Sequence, residues 1–313
     1  MIAYVIRRLL ATIPVMGVVA ATVFLMLRLS PGDPAAVIAG DTATAAEIAL
    51  MRERLGLDAP LLQQFFVWLW NICRGDLGTS IFSNKPVAGL ILERFEPTLA
   101  LTLSTLVIAV LVAVTAGTLA AWRAGSWIDV AVMVVTVLGF SVPVFVIGYL
   151  LVYLFAIELR WLPVQGYVSF GTDIAGAIRS LVLPSTALGL AYIALIARVT
   201  RASMIEVLSQ DYIRTARAKG VDERRVVTAH ALKNAAIPIV TIIGIGFALL
   251  ISGVIITETV FNLPGIGRLT IDAIIRRDYP IIQGVTLVFA AIYVVLNLAI
   301  DLLYTVLDPR IRY

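Results

Sequence analysis

Long uncharged apolar stretches alternate with short polar segments along the chain. Six stretches approach the roughly 20 residues that a helix needs to cross a bilayer: Leu9–Leu27, Thr98–Trp122, Val130–Ile157, Leu181–Ala197, Ala235–Thr257 and Gly284–Leu307. The first five hold no Asp, Glu, Lys or Arg, and the last holds only Asp301 near its end. Barrel strands are shorter and alternate apolar with polar residues, a pattern that is missing here. The pattern predicts an all-α polytopic membrane protein with six transmembrane helices. It divides the chain into a cytoplasmic N-terminus and first span (1–29), an outside loop region (30–97) and a five-span core (98–313).

Composition agrees, with 60% hydrophobic and 14% charged residues and a mean hydropathy of +0.99. Soluble domains have roughly a quarter charged residues. The single cysteine, Cys73, and single histidine, His230, exclude an intrachain disulfide, a thiolate metal cluster and an HExxH site. None of the lysines (Lys85, Lys219, Lys233) follows a glycine, so no P-loop is present. Any ATP must be held by another subunit, and no cofactor or metal site is expected in this chain.

Arg7 and Arg8 precede the first apolar run, as in a signal peptide. The run is longer than a signal core and no small-residue cleavage site follows closely, so a retained anchor is expected. Basic residues then set the orientation. Arg7, Arg8, Arg123, the cluster from Arg198 to Lys233, Arg310 and Arg312 fall on one side, which places both termini in the cytoplasm.

The outside loop, Ser30–Pro97, has helix signals of its own. Thr44-Ala45-Ala46-Glu47 is a capping box, and Gly56 after Leu55 is the matching stop. A second helix opens at Asp58-Ala59-Pro60, with Leu62, Phe65, Phe66, Leu69 and Cys73 expected on one packing face. On the cytoplasmic side, the loop 198–234 reads as helix, glycine turn and helix. Ile205, Leu208, Tyr212 and Ala216 share a face, Lys219-Gly220 ends the first helix, and Asp222 caps a second carrying Val227, Ala231 and Leu232. Such a loop lies on anionic lipid or docks a cytoplasmic partner; spans on both sides argue against a DNA-binding helix-turn-helix.

Tyr212-Ile213-Arg214-Thr215-Ala216-Arg217-Ala218-Lys219-Gly220, with His230-Ala231-Leu232-Lys233-Asn234 and Ile237-Pro238, resembles the EAA loop of binding-protein-dependent ABC importer permeases. It is most similar to the B-type permease of dipeptide, oligopeptide and nickel importers. Arg214-Thr215-Ala216 stands where the general pattern has Glu-Ala-Ala, and the Gly220-to-Pro238 spacing is longer, a departure that the peptide branch shares. The resemblance extends through Tyr4–Leu10, Pro31-Gly32-Asp33-Pro34, Leu55-Gly56-Leu57-Asp58, Gly75–Ser80, Glu258–Arg268, Arg277-Asp278-Tyr279-Pro280 and Asp308–Tyr313. Its details sit near glutathione and small-peptide permeases.

The resemblance implies a type I ABC importer permease fold with a helical periplasmic insertion between spans one and two, in the bacterial inner membrane. It implies a non-catalytic subunit that forms half of a translocation path for small peptides. The implied partners are a homologous second permease, two ATP-binding subunits that hold ATP and Mg, a solute-binding protein (periplasmic or lipid-anchored) and membrane lipid, without nucleic acid. Tyr212, Arg214, Thr215, Ala216, Lys219 and Gly220 would couple to the ATPases. A nickel-chelate or other small-solute importer is the alternative. A secondary transporter is disfavoured by the absence of midplane ionisable residues and of an evident repeat, and an intramembrane protease by the lack of a base in the spans.

Within span three, Pro143 is expected to kink the helix beside Gly139 and Ser141, and Ser141 and Pro143 are candidates for lining the path. Asn297, Asp301 and Tyr304 share a face of span six. Asp301 is expected in a structural ion pair near the cytoplasmic end or, alternatively, on the path. In the outside loop 258–283, Asn262-Leu263-Pro264-Gly265-Ile266-Gly267 is a stiff turn. Asn262, Leu263, Pro264, Gly265 and Gly267 are expected to face the solute-binding protein, with Arg268 and Asp272 bracing the helix that follows.

Overall fold

The computed structural model describes the backbone of residues 2–29, 35–36, 43–54 and 56–307; the side chains of 2–9, 27–29, 51, 54, 248, 249, 252 and 301–307 lie outside the description. Pro31-Gly32-Asp33-Pro34, Leu55 and Asp308–Tyr313 are therefore outside the described residues, as are the side chains of Tyr4 to Leu9, Asp301 and Tyr304.

The regular structure described is helical: α1 (Ile2–Leu29), α2 (Ala45–Arg54), α3 (Leu61–Cys73), α4 (Val87–Glu93), α5 (Phe95–Trp122), α6 (Trp127–Ser141), α7 (Val144–Leu151), α8 (Ile174–Leu208), α9 (Asp211–Ala218), α10 (Leu232–Val260), α11 (Ile266–Arg276) and α12 (Tyr279–Leu307). The apolar helices Phe95–Trp122, Ile174–Leu208, Glu223–Phe247 and Tyr279–Ile300 are long enough to cross a membrane, the bent pair Trp127–Ser141 with Val144–Glu158 is a fifth candidate, and α1 contains the apolar stretch Leu10–Met26. Every expected span thus falls on apolar helix.

Two compact units form, one from Met1–Phe95 with Leu269–Val295 and the other from Glu96–Arg268 with Leu296–Tyr313. In the first, Thr44 and Glu47 close the capping box: the Thr44 N–H donates to Glu47 Oε2 at 2.7 Å and the Glu47 N–H to Thr44 Oγ1 at 3.4 Å. The Thr44 N–H and then its hydroxyl hold the Glu47 carboxyl below its usual pKa. Helix α3 leans on α1 through Phe65 and Trp68, whose rings lie 5.4 and 5.5 Å from that of Phe24. The inward face differs from the expected one. Phe65, Trp68, Leu69 and Ile72 are half-buried, while Leu62, Phe66 and Cys73 are exposed. Apolar residues surround α3 on most sides, so spacing alone did not fix its rotation; the aromatic contact with Phe24 does. Across the same unit, Ser80 Oγ donates to Asp278 Oδ2 at 2.6 Å and the Ile81 N–H to Oδ1 at 3.3 Å, which ties the loop before α4 to the start of α12.

In the second unit α8 is the central helix: 67% of its most apolar window is buried, against 28% for each of the other three long helices. Small residues allow this. Ala109, Ala113, Gly117 and Ala121 recur every four positions along α5, all of them on its buried face. A Cβ at Gly117 would lie 2.6 Å from the Ala197 carbonyl oxygen and 2.7 Å from Thr200 Cβ. Backbone-depth contact of this kind is how helices gain dispersion energy in lipid, where no hydrophobic difference drives them together. Farther along the same pair, the Ser104 and Ser185 hydroxyls meet at 2.6 Å. The outward residues Leu103, Val107 and Leu111 remain exposed and apolar, as a lipid-facing stripe requires.

Three boundaries depart from the sequence reading. The expected single third span is two helices meeting at 107°. Pro143 offers no N–H and pushes Val142 into extended backbone (φ −92°, ψ 129°), so α6 stops and α7 restarts on Pro143. The fourth span runs well beyond Ala197, as a 35-residue helix to Leu208. Polar residues do not end a helix, and here Arg201 has a partner. Its Nε and Nη2 reach Asp129 Oδ1 and Oδ2 at 2.5 and 2.6 Å, a bidentate geometry that fixes orientation as well as charge. Ile205 and Leu208 consequently belong to α8 and not to the helix of Tyr212. Finally, the helix capped by Asp222 continues through a wider i→i+5 turn at Val226–Ala231 into α10, so it is the leading end of the span-five helix.

Gly117→Val should separate α5 from α8 and lower the thermal unfolding midpoint of the purified protein. Gly17→Ala, at an α1 position with nothing within 4 Å of a new Cβ, should leave it unchanged or slightly raised.

Candidate functional site

The loop between α8 and α10 is built on one anchoring residue. Ile213 is fully buried in a cluster with Met204, Val226, Val227 and Ala231, which come from the end of α8 and the start of the span-five helix. With Ile213 inward, α9 presents Tyr212, Arg214 and Thr215 outward; Lys219 and Gly220 at its end are exposed and Ala216 is half-buried. The expected coupling residues therefore do assemble on one short helix. Tyr212, expected to share a face with Ile205 and Leu208, does not, because the break at Ser209–Gln210 starts a new helix and resets the phase after Leu208.

Gly220 closes α9. Its φ is +76°, its N–H donates to the Arg217 carbonyl at 2.9 Å, and the Val221 N–H donates to the Ala216 carbonyl at 3.2 Å. This paired pattern is a Schellman closure, and its left-handed residue strains any side chain larger than hydrogen. Beyond the turn, the Asp222 carboxylate accepts from the Arg224 N–H at 3.1 Å, as its capping position predicts. Arg217 Nε and Nη2 donate to Glu223 Oε2 and Oε1 at 3.1 and 2.7 Å across the turn, which raises the pKa of the guanidinium. The arrangement is a short exposed helix hinged between two long ones. It holds no nucleophile–base pair, and its outward groups suit contact with another protein.

On the opposite loop set, the turn after α10 is folded inward. Of Asn262, Leu263, Pro264, Gly265 and Gly267, only Asn262 and Pro264 are exposed; Leu263, Gly265, Ile266 and Gly267 are buried. The expected protruding turn is thus a packed one. Arg268 Nη1 donates to Asn262 Oδ1 rather than bracing against Asp272. At the centre of the turn lies Glu258, which is 0% exposed and which sequence reading passed over as loop. The signal was present in Gly265 and Gly267, two residues without side chains seven and nine positions after a carboxylate.

Comparison with known proteins decides the family. Residues 113–313 match the family described as "Binding-protein-dependent transport system inner membrane component", and residues 1–102 match its N-terminal companion, "Binding-prot-dependent transport system membrane comp, N-term". The chain belongs to this permease family. It is 54% identical over 310 residues to the probable peptide ABC transporter permease protein y4tP of Sinorhizobium fredii, covering 99% of each chain. It is 48% identical over 314 residues to the glutathione transport system permease protein GsiC of Escherichia coli O6:H1, covering 100% of each. Among solved structures, a chain of the inward-facing MetNI methionine ABC transporter superposes with a TM-score of 0.57 at 17% identity, over 70% of this chain and 96% of that one. This likeness carries the fold: the chain is an all-helical integral membrane protein with a type I ABC importer permease fold. The family implies ATPase and binding-protein partners.

Within this permease the two described path candidates sit at the α6–α7 break. Ser141 is exposed, but its hydroxyl donates to the Val137 carbonyl at 2.8 Å in its own helix. Pro143 begins α7 and is exposed beside it. Asp301 lies on α12, with its side chain outside the described residues.

Ile213→Ala should free α9 from its anchor and cost about 2–5 kcal/mol, as large-to-small core changes do. Arg217→Ala, which removes an ion pair more than a third exposed on both sides, should cost at most about 1 kcal/mol. Thermal or denaturant unfolding of the two variants checks the order; equal losses would show that the salt bridge holds the hinge.

Proposed function

We propose that this chain is the non-catalytic permease subunit of an ATP-driven, binding-protein-dependent importer of small peptides, glutathione-like tripeptides included. Near-complete alignment at about half identity with peptide and glutathione permeases carries the substrate class. The exposed, Schellman-closed α9 supports the coupling role. In this reading the chain forms half of the path beside a homologous second permease in the inner membrane. Both termini are cytoplasmic, as the basic residues direct. Two ATPase subunits hold ATP and Mg and dock on α9 through Tyr212, Arg214, Thr215 and Lys219. A solute-binding protein delivers substrate to the opposite face, where Asn262 and Pro264 are the parts of the last outside turn it can touch.

The mechanism follows from the mechanics of the loop. Helix α9 is short, anchored at Ile213 and joined to α8 and to the span-five helix. A push on it when the ATPases close is therefore delivered to two spans at once. The hydrolytic chemistry belongs to the partners, while this chain converts their movement into a change in access.

Proteoliposomes containing the assembled complex should take up a radiolabelled tripeptide only with ATP and the solute-binding protein present. Gly220→Val, which forces a β-branched residue to φ +76°, should abolish uptake and substrate-stimulated ATP hydrolysis while the chain still inserts. Uptake driven by a proton or sodium gradient without the ATPases would overturn the proposal. For orientation, in a chain with Cys73 replaced by Ser, a membrane-impermeant thiol reagent on intact cells should label a cysteine replacing Asn84 and miss one replacing Asp222.

A further inference from the structure

The buried Glu258 sits where four elements of the second unit converge. Its Oε1 accepts from the Thr98 hydroxyl of α5 at 2.6 Å. Its Oε2 accepts from the Arg268 N–H of α11 at 3.0 Å, and its backbone carbonyl accepts from the Leu263 N–H at 2.9 Å. Thr98 Oγ1 in turn accepts from the Ile266 N–H at 2.8 Å. One hydroxyl and one carboxylate thus satisfy two backbone donors at the start of α11. The turn is closed around this centre. A Cβ at Gly265 would overlap the carboxylate, and one at Gly267 would lie 2.7 Å from Ile255 Cα and 2.9 Å from Glu258 Oε2. At the front of the turn, Phe261 is 2% exposed. Its ring is the nearest neighbour of Gly148 in α7, 3.2 Å from where a Cβ there would stand. Its carbonyl accepts from the Gly166 N–H of the preceding outside loop at 3.0 Å.

Burying a carboxylate among apolar helices is unfavourable unless its hydrogen bonds are well made. An apolar side chain at this position would fill space without directing the turn. A carboxylate offers two acceptor oxygens in a fixed plane, and both face donors here. An amide of the same shape offers one oxygen and one NH2 group. Turned one way, it meets the Arg268 N–H with a donor; turned the other, its NH2 donates to the Thr98 hydroxyl, which can accept a second bond, and only the hydroxyl proton loses its partner.

We propose that Glu258 is a positioning residue for transport. Its carboxylate, clamped between Thr98 and Arg268, holds the Phe261–Arg268 turn as a rigid plug and makes the adjoining ends of α5 and α10 move as one body when the path changes access. The plug, and not a flexible finger, is then the part of the turn that controls access at that end. This rests on the reading of the chain as an importer permease, but the state of the clamp can be measured without any substrate.

The test uses the assembled complex with Cys73, the chain's only cysteine, replaced by Ser and Pro264 replaced by Cys as a reporter at the exposed tip. Thiol modification of this chain is followed by mass spectrometry, and peptide uptake is measured in parallel. Glu258→Leu and Thr98→Val should each speed labelling by about tenfold or more, the scale expected when a buried polar group loses its partner. Both should cut uptake comparably in complexes recovered at normal yield. Their combination should be little worse than either alone, because they break one network. Thr98→Ser keeps the hydroxyl and should behave as the parent, which a purely space-filling role for Thr98 would not predict. Unchanged labelling in Glu258→Leu overturns the clamp. Faster labelling with normal uptake overturns its role in transport. If the parent complex transports no peptide, the importer reading fails, and the labelling rates still decide whether the clamp exists.

Discussion

Close approach of α8 to its neighbours is the constraint on which the rest of the second unit depends. In water, burial of apolar surface would pull the helices together whatever their side chains. In lipid that difference largely vanishes, and what remains is dispersion and hydrogen bonding at short range. Gly117 lets the α5 backbone reach the Ala197 carbonyl of α8, and the Ser104–Ser185 contact adds a directed bond on the same interface. With α8 seated at this depth, α6, α7 and α10 pack around it, and its polar end is carried beyond the apolar zone as far as Leu208.

Two buried carboxylates that enter this apolar setting are each bound where helices must keep a fixed relation. Asp129 and Arg201 tie the start of α6 to the polar end of α8. Glu258 and Thr98 tie α10 to α5 and to the turn that begins α11. Breaking such a pair leaves an uncompensated buried charge, a larger loss than the pair's net contribution to stability. These contacts therefore specify geometry more than they add free energy. Between them the α6–α7 break at Pro143 is a place where the helical ladder is already interrupted, which lowers the cost of changing the angle there.

The loop between α8 and α10 is organised on the opposite plan. Its outward groups are hydrated and its ion pair is half-exposed, so the loop owes its placement to Ile213 and to the closure at Gly220. That leaves a surface free for a partner while the internal side is fixed to two long helices. A helix mounted in this way transmits displacement and holds its own shape.

Much of this was legible in the chain itself. Apolar run lengths place every span, the Thr44–Glu47 box and the Asp222 cap mark helix starts, and Gly220 marks a stop, because each of these is decided by neighbours within a few residues. Resemblance along the whole sequence pointed to the family. The kink at Pro143 was legible as well, though not its 107° size; the rotation of α3 about its axis, the phase reset that turns Tyr212 outward and the burial of the Leu263–Gly267 turn were not. They depend on partners far away in sequence: Phe24 for α3, Met204 and Val226 for α9, Thr98 for the turn. Local chemistry determined several helix starts and stops, among them Thr44, Asp222 and Gly220. Only tertiary contact decided which faces the helices bury and why a carboxylate sits among them, since the hydrogen bonds that make Glu258 tolerable exist only once α5, α10 and α11 have met.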